Sequence, residues 1–285
     1  MAVNRSSTQA HRAGGERGSG GLLGHGSAAL GGVPQDGAAG GAAPRTAVVW
    51  QVLRAELARR AGERLAVVDV GGGTGRFAVP LAVAGHDVTV IDASPDALAA
   101  LTRRAAEAGV ADRVRAQQGD ADDLAELVPA GSADLVLCHS LLEVVDGPAE
   151  VAAALAATLR PGGTASVLVA NRAAAVLHRA LGGHLATAAA LLTADDPGAV
   201  AAGPRDVPRR RYDTDALTAL LSGAGLAVEQ VHGVRVVADL VPGSLLEGEP
   251  GSVEALVAFE LAAADRPPYR DIATQLHAFA RRPTP

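Results

Sequence analysis

Val67-Val68-Asp69-Val70-Gly71-Gly72-Gly73-Thr74-Gly75 holds the densest chemistry in the chain. An apolar run meets a glycine turn, and a helical pattern begins directly behind it at Thr74. Glycines let a backbone approach a ligand more closely than any Cβ allows. The unpaired N–H groups of a helix start attract an anion, so a carboxylate and a pyrophosphate both suit this place. The dinucleotide pattern would need its third glycine at Arg76, and Gly75 comes one residue early. The bland alternative is a tight turn between strand and helix; three successive glycines disfavour it.

Asp92 ends the next apolar run, Val88-Thr89-Val90-Ile91. An acid at that point of a doubly wound sheet accepts hydrogen bonds from both hydroxyls of a ribose. Before Ala-Ser-Pro it could equally cap a helix, but its place one strand and one helix after the glycine turn favours the ribose. Gly119-Asp120-Ala121-Asp122 can offer an N–H and a carboxylate to an adenine, or be a solvated acidic turn. His139 falls just beyond the run Asp134–Cys138, where polar residues at strand carboxyl ends line the ligand crevice. Leu159-Arg160-Pro161-Gly162-Gly163 makes a sharp turn before the next apolar run.

These residues need strands and helices in alternation to hold them, and the sequence supplies that pattern. Strands are expected at 65–70, 87–91, 114–117, 133–138 and 164–170, with helices at 74–84, 95–109 and 148–160 between them. Ser94-Pro95 opens the second of these helices as N-cap and first helical residue. An amphipathic helix from Ala47 precedes the first strand. Beyond 170 the pattern breaks into an insertion over the active-site edge, residues 171–211. It returns with helix 213–222, strand 227–232, helix 251–264 and a closing edge strand at 277–282. The expected architecture is α/β: a Rossmann-like, seven-stranded, mostly parallel sheet with helices on both faces. Residues 1–43, rich in glycine and without hydrophobic period, read as a disordered tail ahead of one domain, 44–285.

Taken in order, the glycine turn, the ribose acid, the Gly-Asp turn, Asp-Leu-Val-Leu and Leu-Arg-Pro-Gly-Gly resemble the class I S-adenosylmethionine-dependent methyltransferases. From about Arg45 to Arg282 the chain looks more specifically like bacterial tRNA 5-carboxymethoxyuridine methyltransferases. The echoes are Arg45-x-Ala47-x-x-Trp50-Gln51, His139-x-x-Leu142-Glu143, Asn171 and Gly233-Val234-Arg235-Val236. Further along come Glu260, Pro268-Tyr269 and His277-x-x-Ala280-Arg281. The resemblance implies adenosylmethionine contacts from Arg45, Gly71, Gly72, Gly73, Asp92, Ala121, Asp122 and His139. The insertion departs from the family in lacking its aromatic residues and lysine run, and Arg205 with the arginines after it is expected to replace that charge. The acceptor is therefore expected against Asn171, Arg209, Arg210, Arg211, Tyr212 and Arg235, with Trp50, Tyr212 and Tyr269 available to stack on a base. Arg45 would pair with the methionine carboxylate.

Methyl transfer from a sulfonium is an in-line displacement, served mainly by alignment and a dry pocket. A carboxylate acceptor is already ionised at neutral pH and needs no general base, so no catalytic residue is assigned. The net charge of −6 gives no global field for nucleic acid, which leaves tRNA recognition to a local arginine patch. A small-molecule acceptor, with the insertion as its lid, is the alternative. A lone cysteine, Cys138, excludes an internal disulfide and a multi-cysteine metal site. No apolar run is long enough to span a bilayer, and the cytoplasm is the expected compartment. With no lysine in the chain, a Tyr-x-x-x-Lys oxidoreductase is ruled out.

Overall fold

The computed structural model describes residues 43–194, 210–248 and 250–284. The expected tail falls, but for Ala43, outside them, as do Arg205 and Arg209. The strands are β1 (Ala66–Val70), β2 (Asp87–Asp92), β3 (Val114–Gln118), β4 (Ala133–His139), β5 (Leu159–Ala170), β6 (Ala227–Val234) and β7 (Gln275–Arg281). They form one seven-stranded sheet in the order β3-β2-β1-β4-β5-β7-β6. β1 to β5 are parallel, and β7 runs antiparallel to both β5 and β6.

Helices before the sheet's midpoint are α1 (Ala47–Arg59), α2 (Ala78–Val83), α3 (Pro95–Glu107), α4 (Leu124–Leu127) and α5 (Pro148–Thr158). After β5 come α6 (Arg172–Leu181), α7 (Leu185–Thr193), α8 (Thr214–Gly223), α9 (Gly243–Gly248), α10 (Ser252–Ala263) and α11 (Tyr269–Ile272). The central strands bury both faces. In β4, Leu135 and Leu137 join the cluster formed with α1, α2 and α3, while Val136 and Cys138 join the one formed with α5 and α8. That period of two makes the strand's sequence near-continuously apolar, as a doubly covered parallel strand must be. With so few aromatic residues, each core leucine carries its share by burial, about 1.5–3 kcal/mol when fully enclosed.

Several expectations need correction. The closing strand is not an edge: β7 is inserted between β5 and β6, and β6 forms the border. Its residues 276–280 are buried, which an edge position would not require. The helix after the glycine turn begins at Ala78 rather than Thr74, because Gly73 and Gly75 hold φ of +54° and +78° and break helical geometry. Helix α5 stops at Thr158, and β5 already starts at Leu159. Pro161-Gly162-Gly163 forms an irregularity inside β5 opposite Asp134, where the register with β4 shifts. The insertion carries regular structure of its own, α6 and α7, with Asn171 as N-cap accepting from Ala173 N at 3.0 Å.

Candidate functional site

The carboxyl ends of β1, β2, β4 and β5 open onto a row of adjoining cavities. The first, about 370 Å³, lies between Asp92, Gly119, Ala121, Asp122, Leu141 and Val144. Asp92 ends β2 with its carboxylate already oriented: Oδ2 accepts from Gly73 N and Oδ1 from Ser94 N, both at 2.9 Å. Two carboxylate oxygens have room for further donors, so the ribose role and the local turn coexist. Ser94, not Asp92, caps α3, accepting from Ala97 N at 3.2 Å.

Gly71 also lines the second cavity, about 300 Å³, together with Arg45, Asp69, Arg76, His139 and Arg235. Here the glycines are a spatial necessity. A Cβ on Gly72 would stand 2.5 Å from the Asp69 carboxyl carbon, and Gly71 sits at φ +72°. Asp69 is buried at 2% exposure; burial first, then the neighbouring Asp92 carboxylate, push its carboxyl up to about 7. His139 is held neutral, since burial pushes its imidazole down to about 3. Its Nε2 meets Ser166 Oγ at 2.9 Å, and the same hydroxyl meets His277 Nε2 at 2.8 Å. Phe77 packs edge-on to His139 at 4.6 Å and tilts against the buried Trp50 at 5.1 Å.

A third cavity, about 280 Å³, continues from the second, sharing Ser140, Arg235 and Gln275 as wall and adding Glu143 and Thr274. Gln275 Nε2 donates to Ser140 Oγ at 3.1 Å, and Arg235 reaches Gln275 Oε1 at 3.4 Å. Ser140 and Arg235 are the described non-glycine residues with left-handed backbone, φ +58° and +62°. Such conformations cost of order 1–3 kcal/mol each and collect at functional sites. Arg235 is fixed from two sides. Its guanidinium pairs with Asp239 at 2.5 Å, and the segment behind it is clasped by Glu260, whose carboxylate accepts from Val236 N, Val237 N and Ala238 N at 2.8–2.9 Å. Glu143 is 4% exposed; burial pushes its carboxyl up to about 7, against the pull of its own and Ala170's N–H groups and of Arg211. A fourth cavity, about 290 Å³, contains Asn171, Arg179 and Arg211 and shares Ala170 and Thr274 with the third.

The residues expected to hold the cosubstrate therefore gather at two adjoining cavities, Ala121, Asp122 and Asp92 around one and Arg45 and His139 around the other. Gly71 lies between them, and Gly73 stands behind, bonded to Asp92. Arg45 lies at the mouth, 62% exposed in its side chain and 3.4 Å from Asp239. The residues expected at the acceptor scatter more. Arg235 and Arg211 line cavities, while Arg210 spends its guanidinium on the Val145 and Asp146 carbonyls. Asn171 is buried, donating to the Asp271 and Ala273 carbonyls at 2.9 and 2.7 Å. Tyr212 is buried with its hydroxyl donating to Leu142 O at 3.0 Å. Trp50 is corrected outright as a stacking surface: at 1% exposure it belongs to the core. Tyr269, 48% exposed, remains open to solvent.

Sequence reading missed Asp69, Arg76, Ser140, Glu143 and Gln275 as site-lining groups. Asp69 and Glu143 had a signal, an acid within an otherwise apolar stretch; Gln275 had none. Among the described residues there is no cluster of His, Cys, Asp and Glu that could hold a metal, and no helix long and apolar enough to cross a membrane.

The profile of the family described as "Methyltransferase domain" matches residues 67–163, from β1 through the turn inside β5. The tRNA 5-carboxymethoxyuridine methyltransferase of Escherichia coli is 29% identical over 239 residues, 84% of this chain and 88% of that protein. The ubiquinone biosynthesis O-methyltransferase of Ralstonia nicotianae is 44% identical over 103 residues, 36% of this chain and 41% of that protein. Among solved structures, an S-adenosylmethionine-dependent methyltransferase from Mesorhizobium loti superposes with a TM-score of 0.53 at 21% identity, covering 82% of this chain and 98% of that one.

Proposed function

We propose that this chain, a class I S-adenosylmethionine-dependent methyltransferase, methylates the carboxylate of 5-carboxymethoxyuridine at the wobble position of tRNA. Adenosylmethionine is the methyl donor. In this reading the adenosyl part lies against Asp92, Ala121 and Asp122, and the methionine part against Gly71, Gly72, Arg45 and His139. Each of these sites fits its share: a carboxylate pre-oriented for hydroxyls, and a glycine turn in which Gly72 packs on Asp69 too closely for any Cβ and Gly71 holds φ +72°.

The observation that carries the tRNA reading is the reach of the similarity. The match to the ubiquinone-pathway enzyme covers 36% of the chain, the match to the tRNA enzyme 84%, far beyond the general methyltransferase segment. Part of the third cavity, Ala170, Arg235, Thr274 and Gln275, lies beyond that segment. A carboxylate acceptor also suits the chemistry here. It arrives ionised, needs no proton removed, and gains from a cation at the transfer site; Arg235 is that cation. His139, held neutral by burial, adds no charge beside the sulfonium, so alignment does the work.

The test is methyl transfer from labelled adenosylmethionine to tRNA carrying unmethylated 5-carboxymethoxyuridine, with a small-metabolite extract in parallel. A base-labile ester on the wobble nucleoside is the expected product. Label confined to the metabolite fraction would leave donor and fold in place and remove the tRNA acceptor.

A further inference from the structure

We infer that Glu143 and Arg235 together read the imide edge of the acceptor's pyrimidine ring, the N3–H beside the C4 carbonyl. The inference rests on the tRNA reading above. Both side chains line the third cavity, and each keeps one buried polar atom without a hydrogen-bond partner: Glu143 Oε2 and Arg235 Nε. An unmatched buried polar atom is a cost, and left-handed Arg235 adds another. The two orphans are opposite in kind, one an acceptor and one a donor. A flat group offering N–H next to C=O satisfies both at once, as a uracil edge does.

Position sharpens the match. Arg235 also lines the methionine-side cavity, whereas Glu143 lines only the third cavity. A uracil with N3–H on Glu143 and O4 on Arg235 turns C5, the ring carbon next to C4, toward the donor cavity. C5 is the atom that carries the carboxymethoxy arm. The cavity of about 280 Å³ has room for one pyrimidine ring and its carboxymethoxy arm. The hydrogen bonds leave the backbone phosphates unread, so this is specificity for the base and not for RNA in general.

The experiment titrates the full chain, saturated with adenosylhomocysteine, with three anticodon stem-loop RNAs. These carry 5-carboxymethoxyuridine, its N3-methyl derivative, or plain uridine at the wobble position. Wild type should bind the N3-methyl RNA at least ~10-fold more weakly than its parent. In Glu143→Leu that penalty should shrink below about 3-fold, as expected when the partner of N3–H is gone. Adenosylhomocysteine affinity should not change, while Tm should fall, since the N–H groups of Glu143 and Ala170 and the buried Arg211 lose their carboxylate. Equal binding of parent and N3-methyl RNA by wild type overturns the inference while a preference over plain uridine keeps the tRNA reading. No preference for either modified RNA removes both. Equal binding by wild type thus overturns the inference with no variant needed, and a folded Glu143→Leu that retains the full penalty overturns the assignment to Glu143.

Discussion

At the amino ends of β1 and β4, Arg60 is enclosed at 7% exposure with its guanidinium on Glu56, Asp134 and the Gly162 carbonyl. Asp134 in turn takes Ala66 N at 2.7 Å and Arg160 at 2.6 Å, and Arg281 joins Glu56 to Glu229. Burial pushes the Glu56 carboxyl up, but the hydrogen bonds from Arg59 and Arg281 outweigh it and hold it below the usual range. At the carboxyl ends of the same two strands, Asp69 is pushed up to about 7, Glu143 likewise, and His139 down to about 3. The two strained residues, Ser140 and Arg235, lie at this end too. One end of the sheet neutralises each buried charge within the protein. The other leaves groups underserved and backbone strained, and a ligand is what would complete it.

Removing Arg60 attacks the matched end. Arg60→Ala takes the most buried cation from Glu56 and Asp134, leaving them the more exposed Arg59, Arg281 and Arg160, and should cost about 3 kcal/mol of stability in denaturant unfolding. Transfer activity per folded molecule should be unchanged; a matching loss of kcat would blur the division between the ends.

The pH dependence addresses the other end. Asp69 titrates at about 7 when folded against 3.8 when unfolded, so its stability contribution is complete below about pH 4 and drains away as pH rises through 7. The upper limit is roughly 4 kcal/mol. Tm of wild type minus that of Asp69→Asn should therefore fall across pH 4–7 and level off above it. A flat difference would mean that Asp69 is charged and satisfied. His139 slopes the opposite way, losing stability as pH falls below about 6.5, which is why the variant difference is the quantity to follow.

Asp92→Ala removes the acceptor for two hydroxyls and should weaken adenosylhomocysteine about 100-fold, near 3 kcal/mol, by calorimetry. Its unfolding midpoint should move little, because the hydrogen bonds lost, to Gly73 N and Ser94 N, are half-exposed or exposed. The smallest effect tests where Tyr212 belongs. Tyr212→Phe deletes one buried hydrogen bond to Leu142 O and should cost about 1 kcal/mol of stability. Unchanged acceptor KM would make Tyr212 a wall of the core; a KM raised tenfold would return it to the acceptor site.

What could be read from the sequence follows the same division of the molecule. The first two cavities are encoded largely by neighbours in sequence: Gly71 to Gly75 and Asp92 sit at strand ends whose order the alternating pattern already implies. The third cavity is assembled across the chain, with Gln275 bonded to Ser140 and Arg235. No local pattern announces such a meeting. Nor does it announce that β7 inserts between β5 and β6, since strand order depends on which edges find each other and not on the strand's own residues. Glu260 shows the reverse case. It stood out as a motif residue, and its use is structural, three backbone N–H groups gathered behind Arg235. Trp50 was visible for its rarity, and its ring is spent on the core.

The Ser166 hydroxyl, wedged between the Nε2 atoms of His139 and His277, owns a single proton. It can give that proton to one ring and take one from the other, so the arrangement that leaves Ser166 fully bonded makes the two imidazoles opposite tautomers. Flipping either ring's proton from one nitrogen to the other obliges its counterpart to flip as well. The hydroxyl thus couples the tautomers of the two rings across the sheet, and the coupling would be read as a pair of anticorrelated nitrogen shifts.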